Sequence, residues 1–468
     1  MADHICSPLA LMKILHISYS DSGGGAARAA YRIHRALIDA GLVSRMWVQR
    51  KLSDDWTVEG RHGPGHRVIV SARGVLGAYP ASFLPTTSTA PHSFNMLPSR
   101  WAQAINRSDA DVVNLHWVNA EMMSIEDIGR IRKPLVWTLH DMWAFCGGEH
   151  LASDGPEVRW RHGYNSADGP VRYRGVDMDR WTWERKRRAW RKPMHIVCPS
   201  NWLARCARDS TLMHEWSVSA VPHTLDLGVF KPQDRGFCRA ALNLPADRRI
   251  VLFGANACRD DPNKGYDLLL GGLRHLAAAS ARAQQILCVI FGQSEPYPPS
   301  ELPVSTRWMG FLHDDVTLAL LYASADVMVV PSRQENFVQT GMEAQACGCP
   351  VVAFDSTGNR DVVQHLATGY LAKPFEVEDL ARGIAYVLGD HARGIELGNA
   401  ARERAERLWS PSTVIPQYLK VYWAAIDARN CNKSGDQKPR RRRARTREAH
   451  SVVADDAQRR DDYEWMLP

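Results

Sequence analysis

The sequence contains no apolar run near the ~20 residues that a membrane-spanning helix needs. Its opening, MADHICSPLALMKILHIS, lacks a charged stretch followed by a long apolar segment and a cleavage site. No secretory leader is expected there, and residues 1–11 are expected to form a disordered lead. None of the ten cysteines forms a C-x-x-C pair, and several sit inside apolar runs, as in Leu287-Cys288-Val289. That pattern points to buried thiols in a reducing, cytoplasmic setting rather than to disulfides or zinc. G-x-G-x-x-G is also missing after the first strand. The second strand ends in Gln49-Arg50-Lys51, with no acid for a ribose, so only Arg50 offers a handle for NADP. There is no internal repeat beyond two halves of similar architecture.

What is present is a chain of 468 residues, 45% hydrophobic and 23% charged, with a net charge of +7. That length exceeds one core, and the composition is that of a globular protein. MKILHISYSDSGGGAARAAYRIHRALIDAGLVSRMWVQR reads as strand, glycine turn, amphipathic helix, strand, with Ala26, Ala30, Ile33 and Leu37 on one helical face. Such a βαβ unit seeds a parallel sheet. Asp111–Trp117, Lys133–Asp141 and Met194–Ser200 continue it, each an apolar run turning polar at its end. A first α/β domain is expected over 12–220 and a linker over 221–244, where VPHTLDLGVFKP carries turn chemistry.

A second series of short apolar runs starts at Arg248–Asn256 and continues through Gln284–Gly292, Ser305–Leu312, Ala325–Ser332, Cys349–Phe354 and Thr368–Pro374. Helical patterns at Gly265–Ala278, Asp314–Ala323, Thr340–Cys347 and Val377–Leu388 alternate with them. This predicts a second doubly wound domain over 245–405. A terminal amphipathic helix, SPSTVIPQYLKVYWAAIDAR, is expected within the segment 406–429. A disordered tail over 430–468, carrying KPRRRRARTR, is expected beyond it. That tail has the charge to bind nucleic acid or anionic lipid but no aromatic interleaving, so no specific nucleic-acid partner is expected. Two doubly wound domains facing one cleft place their ligands outside the strand ends, so the polar residues there are the candidates.

Four stretches qualify. Gly23, Gly24 and Gly25 sit between a strand and a helix, where free N–H groups and the macrodipole attract anions; the same turn could merely reverse the chain. His140 ends an apolar strand in TLHDMWAFCGGEH, at the cleft rim, and His116 has a similar position. Arg259 and Lys264 flank a strand–helix turn in NACRDDPNKGYDLLL, which suits a diphosphate or a solvated loop paired with Asp260 and Asp261. In PSRQENFVQTGMEAQACGCPVVAF, Glu335 lies in a loop and Glu343 near a helix start, where a carboxylate suits the macrodipole or the hydroxyls of a ribose. The backbone of Gln339, Thr340 and Gly341 could hold a phosphate.

Together these stretches resemble family 4 glycosyltransferases, retaining enzymes of the GT-B fold, over nearly all of 12–428. The carrier is PSRQENFVQTGMEAQACGCPVVAF, similar to the family's E-x7-E signature through Glu335, Glu343, Ala344, Ala346, Gly348, Pro350, Val351 and Val352. TLHDMWAFCGGEH is similar to an exopolysaccharide subgroup that includes colanic-acid-type transferases, with Glu149 where that subgroup carries cysteine. The resemblance implies two Rossmann-like domains across a cleft and transfer from a nucleotide-diphosphate sugar to a glycan or lipid-linked acceptor. It implies catalytic or leaving-group roles for His140, Glu335, Arg259 and Lys264, the last two on the donor diphosphate. It puts Glu343 on the ribose, Glu335 near the reacting sugar carbon, and Gly23–Gly25 beside the sugar. No metal or other cofactor is expected. The alternative is a non-catalytic sugar-nucleotide binder in a polysaccharide assembly complex. VRYRGVDMDRWTWERKRRAWRKP, rich in Arg and Trp, reads equally as a peripheral contact with an anionic membrane at its inner face and as ordinary packing of long cationic stems.

Overall fold

Strands form where the apolar runs predicted them, and all are parallel. The computed structural model describes residues 12–60, 64–80, 91–165, 177–254, 260–279, 284–296 and 302–435. The first sheet has seven strands: β1 (Lys13–Ser20), β2 (Val43–Arg50), β3 (Val58–Gly60), β4 (Val112–Leu115), β5 (Leu135–Thr138), β6 (His195–Cys198) and β7 (Ser217–Ala220). Their order is β3-β2-β1-β4-β5-β6-β7. The second sheet has six: β8 (Arg249–Gly254), β9 (Ile286–Phe291), β10 (Ser305–Trp308), β11 (Val327–Val330), β12 (Val351–Phe354) and β13 (Gly369–Ala372), in the order β10-β9-β8-β11-β12-β13. Both orders reverse direction beside the first strand of their sheet, the doubly wound pattern that opens a ligand crevice at the carboxyl ends. The described chain up to Arg429 packs as one compact unit.

The central strands of each sheet are buried on both faces, which is why β4, β9, β11 and β12 read as short apolar runs. One face of the first sheet carries Leu15, Ile17, Val113, Leu115, Trp137 and Ile196 against Trp143, Trp160, Trp183 and Trp190. The other carries Met12, Ile14, Val112 and Val136 against Ile33 and Leu37 of the helix Gly25–Asp39 and against Val414, Tyr418 and Tyr422 of the terminal helix Pro411–Gly435. The terminal helix thus returns to the first sheet, where the Asn114 side chain donates to the Tyr422 hydroxyl at 2.9 Å. The second sheet is sandwiched between one cluster holding Met342 and Trp409 and another holding Leu269 and Leu380.

Several elements differ from the sequence expectation. The segment 221–244 is not all loop: Arg235–Ala241 is a helix, capped by Asp234, whose Cys238 is buried in the second domain's core. A helix over Pro64–Ala78 and a 19-residue helix over His391–Trp409 have no counterpart in that expectation. Among the described residues seven cysteines are buried and Cys431 is exposed. Residues 1–11, the tail from 436, and Arg259 lie outside the described residues.

The described part of the Arg/Trp-rich stretch packs on one side and leaves Arg180, Trp181, Arg187, Arg188, Arg191 and Lys192 exposed on the other. Its helix, Met178–Ala189, buries Trp183, and Trp190 caps it, also buried. Arg185 is spent on Glu126 (2.7 Å) and on the carbonyls of Phe94 and Asn95. Lys186 is fully buried and donates to the carbonyls of Trp143, Cys146 and Gly147. Three acceptors match the three protons of an ammonium group. Burial nevertheless pushes the Lys186 pKa down to about 7. Nearby, burial and then Asp179 push Glu149 up to about 7, and Tyr164 donates to it at 3.0 Å. Residues 166–176 of the stretch lie outside the described residues.

Candidate active site

A cavity of about 1310 Å³ opens where the strand ends of the two sheets meet. Gly23, Gly24, Gly25, His140, Lys264, Glu335, Gln339, Thr340 and Glu343 all line it. Gly341 does not: it is buried, and a side chain there would press Val338 Cγ1 at 3.1 Å.

The glycine turn is pinned from below. Asp21, at the end of β1, is buried and accepts the Leu52 and Ser53 N–H groups at 2.8 and 2.9 Å. Gly23 takes φ +88°, a left-handed conformation that a side chain would strain. Across the cavity, Lys264 ends a short 3-10 turn (Pro262–Lys264), and Gly265 follows at φ +68°. A Cβ on Gly265 would stand 2.0 Å from the Pro331 carbonyl oxygen. Glycine is therefore required for the Lys264 turn to rest against the end of β11. Asn263 completes the join, donating to the Gln334 carbonyl at 2.8 Å and accepting the Gln334 N–H at 3.0 Å.

That join brings Lys264 Nζ to 2.9 Å from Glu335 Oε1. The Glu335 charge holds the Lys264 pKa above its ordinary value, against the opposing effect of burial. The solvated-loop alternative for Lys264, with Asp260 and Asp261 as partners, is not what the geometry shows: Asp261 instead caps the turn through the Asn263 N–H. The helix Gln339–Ala346 begins at Val338 with no side-chain cap. Met342 N–H to Val338 O is its first turn's bond, which leaves the N–H groups of Gln339, Thr340 and Gly341 without intrahelical acceptors.

Glu343 is the fifth residue of that helix and 3% exposed, so it is not a helix-start carboxylate. Its charge is held by Arg32 of the other domain (2.7 Å to Oε1) and by the Tyr322 hydroxyl (2.8 Å to Oε2). Arg32 and Arg28 also pair with Asp315. Burial opposes the Arg32 charge, but Glu343 and Asp315 outweigh it and raise its pKa. Further bonds cross the cleft: Gln339 to the Gly25 carbonyl (2.7 Å), Asn336 to the His140 carbonyl (3.0 Å) and Gln334 to the Ala152 carbonyl (3.0 Å). Arg28, Arg32, Asp315, Tyr322 and Asn336 were not among the sequence candidates. One signal was available: Arg28 and Arg32 are four apart, on one face of the helix that follows the glycine turn.

His140 is joined to four other imidazoles. His116 contacts it at 3.0 Å and His16 contacts His116 at 2.9 Å, while His34 and His223 lie against the row at ring distances of 5.7 and 5.3 Å. Burial pushes His34 and His140 down to about 4, and His16, His116 and His223 well below 6.5. All five are neutral when folded at pH 7, and each charges on unfolding in acid. The unfolded chain then binds more protons than the folded one from about pH 6.5 down to about 4. The stability from neutral burial is full above the upper value and is lost as pH falls through that window. Denaturant midpoints measured from pH 8 to pH 5 are expected to fall once below 6.5. A flat profile would contradict the burial of this row.

Residues 23–228 match the family described as Glycosyltransferase Family 4, and residues 234–407 match Glycosyl transferases group 1. The chain belongs to glycosyltransferase family 4. The D-inositol 3-phosphate glycosyltransferase of Saccharomonospora viridis is 34% identical over 229 residues, 45% of this chain and 51% of that protein. The chain thus spans about half the length of the curated relatives it matches. Two solved structures share the two-domain fold. Anabaena HepE in complex with UDP-glucose has a TM-score of 0.59 at 17% identity, covering 88% of this chain and 100% of HepE. WaaG, a glycosyltransferase involved in lipopolysaccharide biosynthesis, has a TM-score of 0.54 at 17% identity, covering 89% and 99%. This member of family 4 has the GT-B architecture, two parallel α/β sheets facing one cleft. No helix among its described residues is long and apolar enough to cross a membrane.

Proposed function

We propose that this protein is a retaining hexosyltransferase that moves a sugar from a nucleotide-diphosphate donor to a glycan or lipid-linked acceptor in exopolysaccharide, capsule or lipopolysaccharide biosynthesis. The observation that carries this is the meeting, on one cleft, of the Lys264–Glu335 pair, the Glu343 carboxylate, an uncapped helix start at Gln339–Gly341 and His140. Lys264 and those N–H groups suit a diphosphate whose negative charge grows as the bond to the sugar breaks. Arg259 would join them from the same loop. Glu343 would take the ribose hydroxyls. Glu335, beside Lys264, would face the sugar. The departing diphosphate would accept the acceptor's proton on the face it leaves, which accounts for retention. The resemblance assigns no bound metal to such a site, and none enters these steps.

A membrane-bound acceptor is favoured by the helix Pro64–Ala78. Val68, Ile69, Val75 and Leu76 stand exposed on it at 59–72%, in the spacing of one face, while Arg73 ties its other side to the carbonyls of Leu97, Pro98 and Glu121.

The test is a thermal-shift screen with UDP-, GDP- and ADP-sugars, followed by assay of nucleotide release with and without anionic vesicles. One nucleotide class is expected to raise the melting temperature, because ligand bound only to the folded state stabilises it. The same donor should be consumed, faster with vesicles carrying a lipid acceptor. A shift without turnover would favour the non-catalytic binder, and neither shift nor turnover would end this reading.

A further inference from the structure

Two exposed helix faces of the first domain take no part in the cleft, and both belong to helices that dock on one loop. The loop runs from Ser93 to Ser99. Glu121 fastens it through the N–H groups of Met96 and Leu97 (2.8 and 2.7 Å), and Asp127 through the Ser99 N–H (2.6 Å). On one side the helix Pro64–Ala78 is held by Arg73, which donates to the carbonyls of Leu97, Pro98 and Glu121. Gly77 lets that helix lie close, since a Cβ there would stand 2.1 Å from Glu121 Cγ. On the other side the helix Met178–Ala189 is held by Arg185, which donates to Glu126 and to the carbonyls of Phe94 and Asn95.

The first helix turns an aliphatic stripe outward. Val68, Ile69, Val75 and Leu76, with Tyr79 just beyond the helix, follow the spacing of one face and are 59–72% exposed. The second helix turns cations outward. Arg180, Arg187 and Arg188 on it, and Arg191 and Lys192 just beyond it, are exposed. Glu184 is the acid among them, pairing with Arg187 (2.9 Å) and Arg188 (3.7 Å). Trp181, 38% exposed, lies under the Arg185 guanidinium at 4.5 Å, which sets its ring between the cations and the shared loop.

Neither outward face is explained by packing, because Arg73 and Arg185, which anchor the helices, are spent on the loop. Aliphatic side chains this exposed mark an interaction site, and clustered cations raise the potential that draws an anionic surface. A nucleic acid or an acidic glycan would answer the cations and offer nothing to Val68, Ile69, Val75 and Leu76. An apolar protein surface would do the reverse. A bilayer with anionic headgroups over hydrocarbon answers both, and Trp and Tyr are the residues favoured at its interface.

We propose that the two faces form one docking surface for an anionic bilayer. The helix Pro64–Ala78 inserts its stripe at the headgroup boundary, and the Arg–Trp face of the helix Met178–Ala189 lies against the phosphates. That the bilayer supplies the acceptor rests on the proposed function; the docking does not.

The test is sedimentation of the full chain, its basic tail retained, with vesicles of phosphatidylcholine alone or mixed with phosphatidylglycerol. Partition is expected on the mixed vesicles and should fall as salt rises. Arg188→Gln/Arg191→Gln/Lys192→Gln should lower it about 10²-fold, since each cation at an anionic surface contributes about fivefold. Val75→Ser/Leu76→Ser should lower it about tenfold or more, at high salt as well. All five positions are exposed, so both variants should keep the wild-type melting temperature. Should either not fold, Arg191→Gln or Val75→Ser replaces it, each with a loss of about fivefold. No partition, equal partition on both vesicle types, or wild-type partition by either variant would overturn the proposal; the last would leave the tail as the anchor. Protein that ignores vesicles but binds RNA through these cations, or forms a dimer that Val75→Ser/Leu76→Ser abolishes, would overturn it in favour of that partner. Docking without turnover on any sugar nucleotide would sink the functional reading and keep the docking surface, and turnover without docking would do the reverse.

Discussion

Lys264→Ala is expected to reduce sugar transfer by about 10²–10³-fold or more, with the larger part in kcat. In the ligand-free protein Lys264 pairs with Glu335 at 2.9 Å, and the two side chains are 25% and 16% exposed. A diphosphate entering the cleft adds negative charge beside that pair, and more develops on it as the glycosidic bond breaks. Lys264 lines the cavity, fixed there by the Asn263 bonds and by the Gly265 turn. Alanine removes it and also leaves the Glu335 carboxylate facing the diphosphate without a counter-charge. Two penalties therefore act in one variant. Glu335→Gln separates them. It frees Lys264 and removes the like-charge contact, so donor binding should hold or tighten while kcat falls. Steady-state kinetics on both purified variants, with circular dichroism to confirm folding, check this. Wild-type turnover by Lys264→Ala would exclude the diphosphate role, and Glu335→Gln with unchanged kcat would exclude Glu335 from the reacting sugar.

The two variants also mark where sequence reading succeeds and where it stops. The cleft positions of Lys264 and Glu335 were legible because each belongs to a motif local in the chain: a strand end, a turn residue, a helix start. The strands β8, β9, β11 and β12 were legible for the same reason, since burial on both faces demands an apolar run. The edge strand β7 is four partly exposed residues, SVSA, and leaves no such run. The helix His391–Trp409 buries few residues and carries arginines and glutamates on its remaining surface, so its apolar period is faint. What no local pattern could show is which side chains meet across the cleft. Arg32 and Glu343 are 311 positions apart, and Asn336 and His140 196 apart. Arg32 reads in sequence as one cation on an ordinary helix. Only the closure of two domains gives it a buried partner.

That partner supports the second large effect. Glu343→Ala is expected to weaken nucleotide binding by about 2–5 kcal/mol, roughly 30-fold at the least. Each oxygen of Glu343 has one protein donor, Arg32 on one and Tyr322 on the other. A carboxylate oxygen accepts more than one hydrogen bond. A ribose can therefore add its hydroxyls without displacing either. Under the proposed assignment the pairing would set the carboxylate in place rather than block it, and Arg32 of the first domain would become part of the nucleotide site. Alanine deletes the acceptor and leaves Arg32, 9% exposed, with Asp315 alone. It also strands the Tyr322 hydroxyl, whose pKa burial and Glu343 hold well above its ordinary value, so that it remains a donor. Arg32→Ala leaves the ribose acceptor but unties the domains, so it should weaken binding less. Calorimetric titration of the two single variants and the double variant with the nucleotide diphosphate chosen by the thermal screen measures the coupling. Removing both should cost less than the sum of the separate losses, by about 0.5–3 kcal/mol. Additive losses would mean that Arg32 does not prepare Glu343, and unchanged binding in Glu343→Ala would remove the ribose from it. Coupled losses would mean that closing the cleft and ordering the ribose carboxylate are one event, so that donor binding itself draws the first domain into place.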